Sequence, residues 1–211
     1  GGGCGVVCAT SREDVRALGG LFDSRHGNNA ASSSGGTTAR FRDGWSTCCV
    51  IKPHAIKSRK AGAIVHAILS DNASATDNGF GITAMQLFHL DRAAASEFLE
   101  VYDGAIEGRQ RFKDMVDQFT SGPVLALEVV VMRNDDDERE GEHAVTRFRK
   151  VVGPWDVDVA RELFPHTLRA RFGNTKVENA LHCTDLEEDG IMELQYFFEI
   201  LASSAPIANI S

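Results

Sequence analysis

The residues best suited to chemistry gather around one histidine, in the run Asn179-Ala180-Leu181-His182-Cys183-Thr184-Asp185. An apolar approach and a polar exit around His182 are typical of a strand that ends at a site. Taken alone, such a histidine is more often a hydrogen-bonded structural residue than a nucleophile. A catalytic imidazole needs a partner for its second nitrogen, and Glu193 lies on the predicted helix that follows. Asn179 and Thr184 flank the histidine with an amide and a hydroxyl, which could equally serve as turn residues.

Four cations could hold an anionic substrate near this histidine. They are Lys52, Arg149, Arg169 and Arg171. Any one alone is typically a surface charge, but guanidinium groups match phosphate oxygens bidentately and a lysine adds a point charge. Lys52 is the best placed of them, because it ends a predicted strand and Pro53 fixes the chain after it. Tyr102 and Phe112 are aromatics near predicted helix ends, for which core packing is the plainer interpretation.

Length, net charge and cysteine content limit the class of protein to which this chain can belong. The chain has 211 residues with a formal net charge of −8, which argues against a general nucleic-acid-binding protein. Five cysteines without a CxxC pair indicate neither a zinc site nor a disulfide framework, so we expect reduced thiols in the cytoplasm. No apolar run reaches the ~20 residues of a membrane span. The chain begins without methionine, and we expect it to be a processed protein or part of a longer one.

Apolar runs and periodicity predict the elements of the core. The predicted strands are 48–51, 79–90, 124–132 and the His182 strand. The predicted helices are 56–69, 93–102, 112–119, 144–152, 156–164 and 186–201, with a further helical candidate at 12–22. The remaining segments are predicted loops: a polar one at 71–78, an acidic one at 135–142, and a basic one that carries Arg169 and Arg171.

This order reduces to βαββαβ, which predicts an α+β fold with a ferredoxin-like antiparallel sheet, added helices, and the helices on one face. We expect a single domain over residues 45–203. Residues 1–44 are predicted to be a flexible Gly/Ser-rich flank, and residues 204–211 a C-terminal tail.

Four motifs and one downstream acid resemble the nucleoside diphosphate kinases over about residues 45–201. The motifs are Val50-Ile51-Lys52-Pro53, Ser121-Gly122-Pro123, Thr167-Leu168-Arg169 and the run from Asn179 to Asp185, and the acid is Glu193. The resemblance implies the fold of that family. It also implies transfer of a phosphoryl group from a nucleoside triphosphate to a nucleoside diphosphate, with Mg²⁺ carried by the nucleotide rather than held by a protein cage.

The resemblance also implies a role for each candidate residue. His182 corresponds to the histidine that takes up the phosphoryl group, Glu193 to the acid on its other ring nitrogen, and Thr184 to the neighbouring hydroxyl. The phosphate-side residues implied are Lys52, Tyr102, Arg149 and Arg169. Asn179 corresponds to the amide at the ribose, and Phe112 to the aromatic on which the base stacks.

Within the family, the local sequence is similar to that of a ciliary and centrosomal branch with tandem kinase domains, and in particular to the second of those domains. The segments that carry this likeness include Lys52-Pro53-His54-Ala55 and Gln195-Tyr196-Phe197-Phe198. The branch implies tubulin, the axonemal doublet or centrosomal proteins as partners, and a cilium or centrosome as the location. From the apolar runs and the net charge, we expect no membrane and no specific nucleic acid among the partners.

Three departures from the family pattern leave alternatives open. His54 stands where the family usually has Asp, Trp155 stands where a nucleotide-contacting Thr is expected, and the segment 153–166 is longer than usual. The long segment leaves the oligomeric state open, because the family hexamer is built partly through it. A scaffold that turns over weakly or not at all is therefore the alternative to an enzyme. A small regulatory domain of ferredoxin-like type would explain the fold but not the clustered phosphate chemistry.

Overall fold

The computed structural model describes residues 41–70, 79–102, 109–132 and 142–204. Several predictions lie outside these residues: the helix at 12–22, the flank up to residue 40, the loop 71–78, the acidic run 135–141 and the tail from 205. The predicted domain limits stay predictions. Phe41, which precedes the predicted start of the domain, is buried, and its ring centroid lies 6.1 Å from that of Phe198.

The described residues form four strands and a series of helices. The strands are β1 (Ser46–Ile51), β2 (Phe80–Phe88), β3 (Val124–Val131) and β4 (Leu181–Cys183). The α-helices are α1 (Pro53–Lys57), α2 (Ala61–Ser70), α3 (Arg92–Leu99), α4 (Arg109–Phe119), α5 (Ala144–Val152), α6 (Val157–Leu163), α7 (Leu168–Phe172), α8 (Gly190–Gln195) and α9 (Ala202–Ser204). The 3₁₀ helices are Glu100–Tyr102 and Glu187–Asp189, and a π-helix spans Tyr196–Leu201.

The four strands make one sheet in the order β2-β3-β1-β4, and every neighbouring pair is antiparallel. This confirms the predicted α+β fold with a ferredoxin-like antiparallel sheet. In the register, Val50 of β1 lies opposite both Ala126 of β3 and His182 of β4. The histidine therefore stands on a short outer strand that is paired to the centre of the sheet.

Both faces of the sheet are covered, so the predicted placement of helices on one face is wrong. Cys48 and Val50 face one core with side chains of α3, α4 and α8, whereas Cys49 and Ile51 face a second core with side chains of α2, α5 and α7. All six residues of β1 are buried. Continuous apolar runs are typical of strands buried on both faces, and β1 and β3 both carry such runs.

Two predicted elements differ in the structure. The predicted helix 56–69 is divided, because Arg59 has φ 59 and separates α1 from α2. A left-handed residue cannot continue an α-helix. The predicted basic loop contains α7, which places Arg169 and Arg171 on a helix. Five residues are too few to show helical periodicity in a sequence.

The ends of β1 and β4 bring the candidate residues together. Pro53 at the first position of α1 has no N–H to leave unpaired, so the helix begins directly after Lys52. The backbone N–H of Lys52 donates to the carbonyl of Ala180 at 3.0 Å. Lys52 is thereby fixed beside the segment that leads into His182.

Candidate functional site

His182 lies on β4 with 4% of its surface exposed, inside an aromatic wall. The ring centroids of Phe98, Tyr102 and Phe119 lie 5.0, 5.3 and 6.5 Å from its own, and each ring meets it edge-on. Such packing fixes the plane of the imidazole, because the surrounding rings leave it little freedom to rotate.

Glu193 on α8 orients the imidazole. Its Oε2 lies 2.9 Å from Nε2 of His182 and accepts a hydrogen bond from Oγ1 of Thr184, also at 2.9 Å. Its Oε1 accepts a hydrogen bond from the hydroxyl of Tyr102. An ionised carboxylate only accepts, so Nε2 carries the proton and Nδ1 keeps its lone pair. No residue in the described part of the chain hydrogen-bonds Nδ1.

Tyr102, predicted on the phosphate side, directs its hydroxyl to Glu193 in this structure. Burial, followed by the negative charge of Glu193, raises the pKa of the Tyr102 hydroxyl far above its ordinary value. The phenol therefore remains a donor. Together with Thr184 it donates to the carboxylate and holds Glu193 in place against His182.

Two buried cations, Lys52 and Arg169, lie on the other side of the site, 1% and 5% exposed. Nζ of Lys52 donates to the carbonyl of Val177 at 3.0 Å, and Nη1 of Arg169 donates to the carbonyl of Gly153 at 3.0 Å. Burial, and then the positive charge of Arg169, lower the pKa of the Lys52 ammonium well below its ordinary value. A pair of like charges in a buried site favours an anionic ligand between them.

The indole of Trp155 lies against both cations. Its ring centroid is 5.1 Å from Nζ of Lys52 and 5.7 Å from Cζ of Arg169. These are cation–π distances, and such contacts partly compensate the buried charges. The backbone carbonyl of Trp155 also accepts a hydrogen bond from Nδ2 of Asn179 at 3.3 Å. Oδ1 of Asn179 is buried and has no hydrogen-bond partner within the described residues.

The three remaining predicted residues are Arg149, Arg171 and Phe112. Arg149 is half exposed, and its guanidinium donates to the backbone carbonyl of Asp185 at 2.8 Å and lies 3.5 Å from its carboxylate. Arg171 is exposed on α7, with its Cζ 5.1 Å from the ring centroid of Phe172. Phe112, on α4, is partly buried and packs against the core that contains side chains of α3, α4 and α8.

A cleft of about 200 Å³ opens at the histidine. The residues that line it are Tyr102, Arg111, Met115, Trp155, Arg169, His182, Cys183 and Asp185. Phe112 does not line the cleft. Arg111 and Met115 do line it, although no role was predicted for either of them. Residues four apart share one face of a helix, so the spacing of Arg111 and Met115 on α4 was the signal that could have found them.

Within the described residues, no group of three or more His, Cys, Asp and Glu side chains is arranged to hold a metal ion. The three cysteines in those residues, Cys48, Cys49 and Cys183, are buried free thiols. Burial raises the pKa of the Cys183 thiol to about 11, although it follows His182 directly. None of the helices in the same part of the chain has the length and apolar character that crossing a membrane requires.

Solved structures give the same fold. Nucleoside diphosphate kinase from Aquifex aeolicus superposes with a TM-score of 0.60 at 30% identity, over 74% of this chain and 96% of that one. The enzyme from Encephalitozoon cuniculi superposes with a TM-score of 0.58, over 78% of this chain and 96% of that one. At 22% identity the second comparison speaks for the fold alone.

Sequence comparisons give the family. This chain is 31% identical over 152 residues to the nucleoside diphosphate kinase of Aquifex aeolicus, covering 92% of that protein. It is 46% identical over 173 residues to nucleoside diphosphate kinase homolog 7 of Mus musculus, and 40% identical over 215 residues to that of Rattus norvegicus. The matches cover 80% and 93% of this chain but only 38% and 49% of those two proteins, so the chain spans less than half of either. The model of the family "Nucleoside diphosphate kinase" matches residues 46–201, and the chain belongs to this family.

Proposed function

We propose that this chain transfers the γ-phosphoryl group of a nucleoside triphosphate to a nucleoside diphosphate through a phosphohistidine on His182. One observation carries the proposal. Nε2 of His182 is held 2.9 Å from the carboxylate of Glu193, while Nδ1 is left with a lone pair on a residue that lines the cleft. An oriented, neutral imidazole beside buried cations is what in-line attack on a phosphoryl group requires.

In this mechanism Nδ1 of His182 attacks the γ-phosphorus. The new N–P bond forms as the bond to the bridging oxygen breaks, and the nucleoside diphosphate leaves with those electrons. A second nucleoside diphosphate then attacks the phosphorus with a terminal oxygen, which breaks the N–P bond and returns the imidazole to its starting state. Nε2 keeps its proton throughout, and Glu193 stabilises the positive charge that develops on the ring.

The surrounding residues act by position and charge. Lys52 and Arg169 neutralise the phosphates from buried positions, where a cation is worth more than in water. Thr184 and Tyr102 keep the carboxylate of Glu193 aligned.

Two further residues complete the nucleotide site. Oδ1 of Asn179, which has no hydrogen-bond partner among the described residues, offers an acceptor to a hydroxyl of the ribose. Arg149 is half exposed at Asp185, so it can turn to a phosphate at little cost.

The chemistry of the cleft fits magnesium that arrives on the nucleotide. Asp185 contributes a carboxylate to the lining, and Mg²⁺ is typically held by one or two carboxylates together with substrate phosphates and water. When bound, the ion would neutralise charge on the phosphates. Without a protein cage among the described residues, its affinity should depend on the nucleotide.

A second candidate is a scaffold with little turnover, and Trp155 favours it. Its indole lies against both Lys52 and Arg169, where the phosphates would have to bind. The partners proposed for this function are tubulin, the axonemal doublet or centrosomal proteins, and the location a cilium or centrosome. Support for these partners comes from the resemblance to the tandem-domain branch, to whose second kinase domain we assign this chain.

Turnover measurements separate the two candidates. The protein is incubated with ATP, Mg²⁺ and GDP, and GTP formation is followed in wild type, in His182→Gln and in His166→Gln, an exposed histidine that serves as control. The kinase account expects GTP with wild type and the control, and none with His182→Gln. Equal formation in all three would contradict transfer through His182, and no formation in folded wild type that binds ATP would leave the scaffold as the better account.

A further inference from the structure

One arginine on α4, Arg111, faces the cleft and has no partner among the described residues. Arg111 lines the cleft with Met115, four residues on, whereas Phe112 is turned about 100° away around the helix and packs against the core. Arg111 makes no hydrogen bond, ion pair or ring contact with any residue in the described part of the chain. Arg169 and Arg149, by contrast, already donate to Leu181, Gly153 or Asp185.

The face of α4 that carries Arg111 runs outward from the histidine. Its inner end is Phe119, whose ring centroid lies 6.5 Å from that of His182 and 5.5 Å from Nζ of Lys52. Met115 and Arg111 follow at successive steps of four residues. Eight residues of helix rise ~12 Å. This is the scale of a nucleotide that extends from its terminal phosphate to its base.

We propose that Arg111 is the base-binding residue of this chain, with the nucleobase lying against its guanidinium plane and beside Met115. The proposal rests on the proposed function, which places the terminal phosphate at His182. A guanidinium plane stacks on the face of a base, and a purine offers it a larger face than a pyrimidine does. Arg111 therefore favours purine over pyrimidine nucleotides through the strength of stacking.

Binding measurements on four proteins test this. Dissociation constants for GDP, CDP and base-free tripolyphosphate are measured on wild type, Arg111→Ala, Arg111→Lys and Lys113→Ala. Lys113 is an exposed cation on the same helix and controls for long-range charge. Wild type should bind GDP more tightly than CDP. Arg111→Ala should weaken GDP about tenfold, the size of one lost base-stacking contact, with CDP and tripolyphosphate much less affected.

Arg111→Lys separates shape from charge. Lysine keeps the charge but loses the plane, so it should leave GDP binding close to that of Arg111→Ala. An equal loss for GDP and tripolyphosphate in Arg111→Ala would make Arg111 a phosphate contact and overturn the proposal. Unchanged GDP binding in Arg111→Ala would overturn it as well.

These results are independent of the kinase claim. If Arg111→Ala loses the preference for GDP and the wild-type protein forms no phosphohistidine, the base site is supported and the kinase function is contradicted. If phosphohistidine forms and Arg111→Ala keeps the base selectivity of wild type, the kinase function is supported and the base site is contradicted.

Discussion

Nε2 of His54 accepts a hydrogen bond from the backbone N–H of Ala180 at 3.2 Å. Ala180 has φ 74, a left-handed conformation, and lies two residues before His182. Because Nε2 accepts, the neutral ring carries its proton on Nδ1, which lies 2.9 Å from the side-chain amide of Gln118. The amide oxygen of Gln118 must then be the atom that faces Nδ1, an orientation that also gives this otherwise unpartnered oxygen a donor.

This contact predicts a loss of stability in mild acid. Burial, with the charges of Lys52 and Lys60 as smaller causes, lowers the pKa of His54 to about 4, although Glu178 opposes the shift. The unfolded chain binds the proton first, below pH ~6.5. The contribution of His54 is therefore complete above pH ~6.5 and declines as the pH falls toward 4, by at most about 1.4 kcal/mol per pH unit.

Urea unfolding at several pH values in this range checks it. The difference in free energy of unfolding between wild type and His54→Gln should shrink as the pH falls, because glutamine does not titrate. His66→Gln, at an exposed position on α2, should run parallel to wild type. A constant difference between wild type and His54→Gln would contradict the assignment.

Glu193→Gln should lower phosphoryl transfer without unfolding the protein. Glutamine has nearly the same shape, but it lacks the charge that stabilises the ring and one of the acceptors that Tyr102 and Thr184 use. We expect turnover to fall about 10- to 100-fold, the usual cost of losing a carboxylate that orients a functional histidine. Glu188→Gln, on the exposed 3₁₀ turn before α8, is the control in the same GTP-formation assay. Turnover at the wild-type rate in Glu193→Gln would contradict the proposal that Glu193 orients His182 and stabilises its charge.

Trp155→Thr should bind ADP more tightly than wild type. The phosphates must replace the contacts of the indole with Lys52 and Arg169, each worth roughly 0.5–2 kcal/mol. Removing the ring removes that competition, and two contacts at the lower bound of ~0.5 kcal/mol each sum to ~1 kcal/mol, so calorimetry should show a gain of at least about 5-fold. Trp45→Phe, whose indole lies 4.3 Å from Cζ of Arg42 instead, should bind as wild type does. Weaker binding in Trp155→Thr would mean that the indole contacts the nucleotide.

Gly153→Ala should destabilise the fold by about 1–3 kcal/mol. Gly153 has φ 85, and an added Cβ would lie 2.6 Å from Cβ of Thr167. Its carbonyl also accepts from Arg169, so strain here should weaken nucleotide binding too. Gly62→Ala on α2 meets nothing within 4 Å and should instead stabilise by about 0.5–1 kcal/mol. Thermal unfolding distinguishes the two, and equal shifts would contradict the account.

Apolar patterning was enough to predict the sheet and most helices, because strands such as β1 and β3 carry apolar runs. The same runs indicated burial on both faces, which the prediction of helices on one face overlooked. The division of the first helix at Arg59 could not be predicted, since a left-handed arginine leaves no mark in composition.

The site was predicted in part. The neighbours of His182 followed from motifs close in sequence, and the contact with Glu193 follows from a helix that turns back on its own strand. Which residues of α4 face the cleft could be predicted only if the start of that helix was predicted correctly. A predicted start at Phe112 leaves Arg111 outside the helix, so its four-residue spacing to Met115 was not used. The contact of Trp155 with Lys52 joins segments about a hundred residues apart and needed the structure.

The most direct test of the account asks which nitrogen of His182 carries the phosphoryl group. The protein is phosphorylated with ATP and Mg²⁺, and antibodies specific for each phosphohistidine isomer are applied to wild type and His182→Gln. Because Glu193 holds Nε2, the account predicts phosphate on Nδ1, absent from the variant and discharged by added GDP. Phosphate on Nε2, or no phosphohistidine in folded protein that binds ATP, would contradict it.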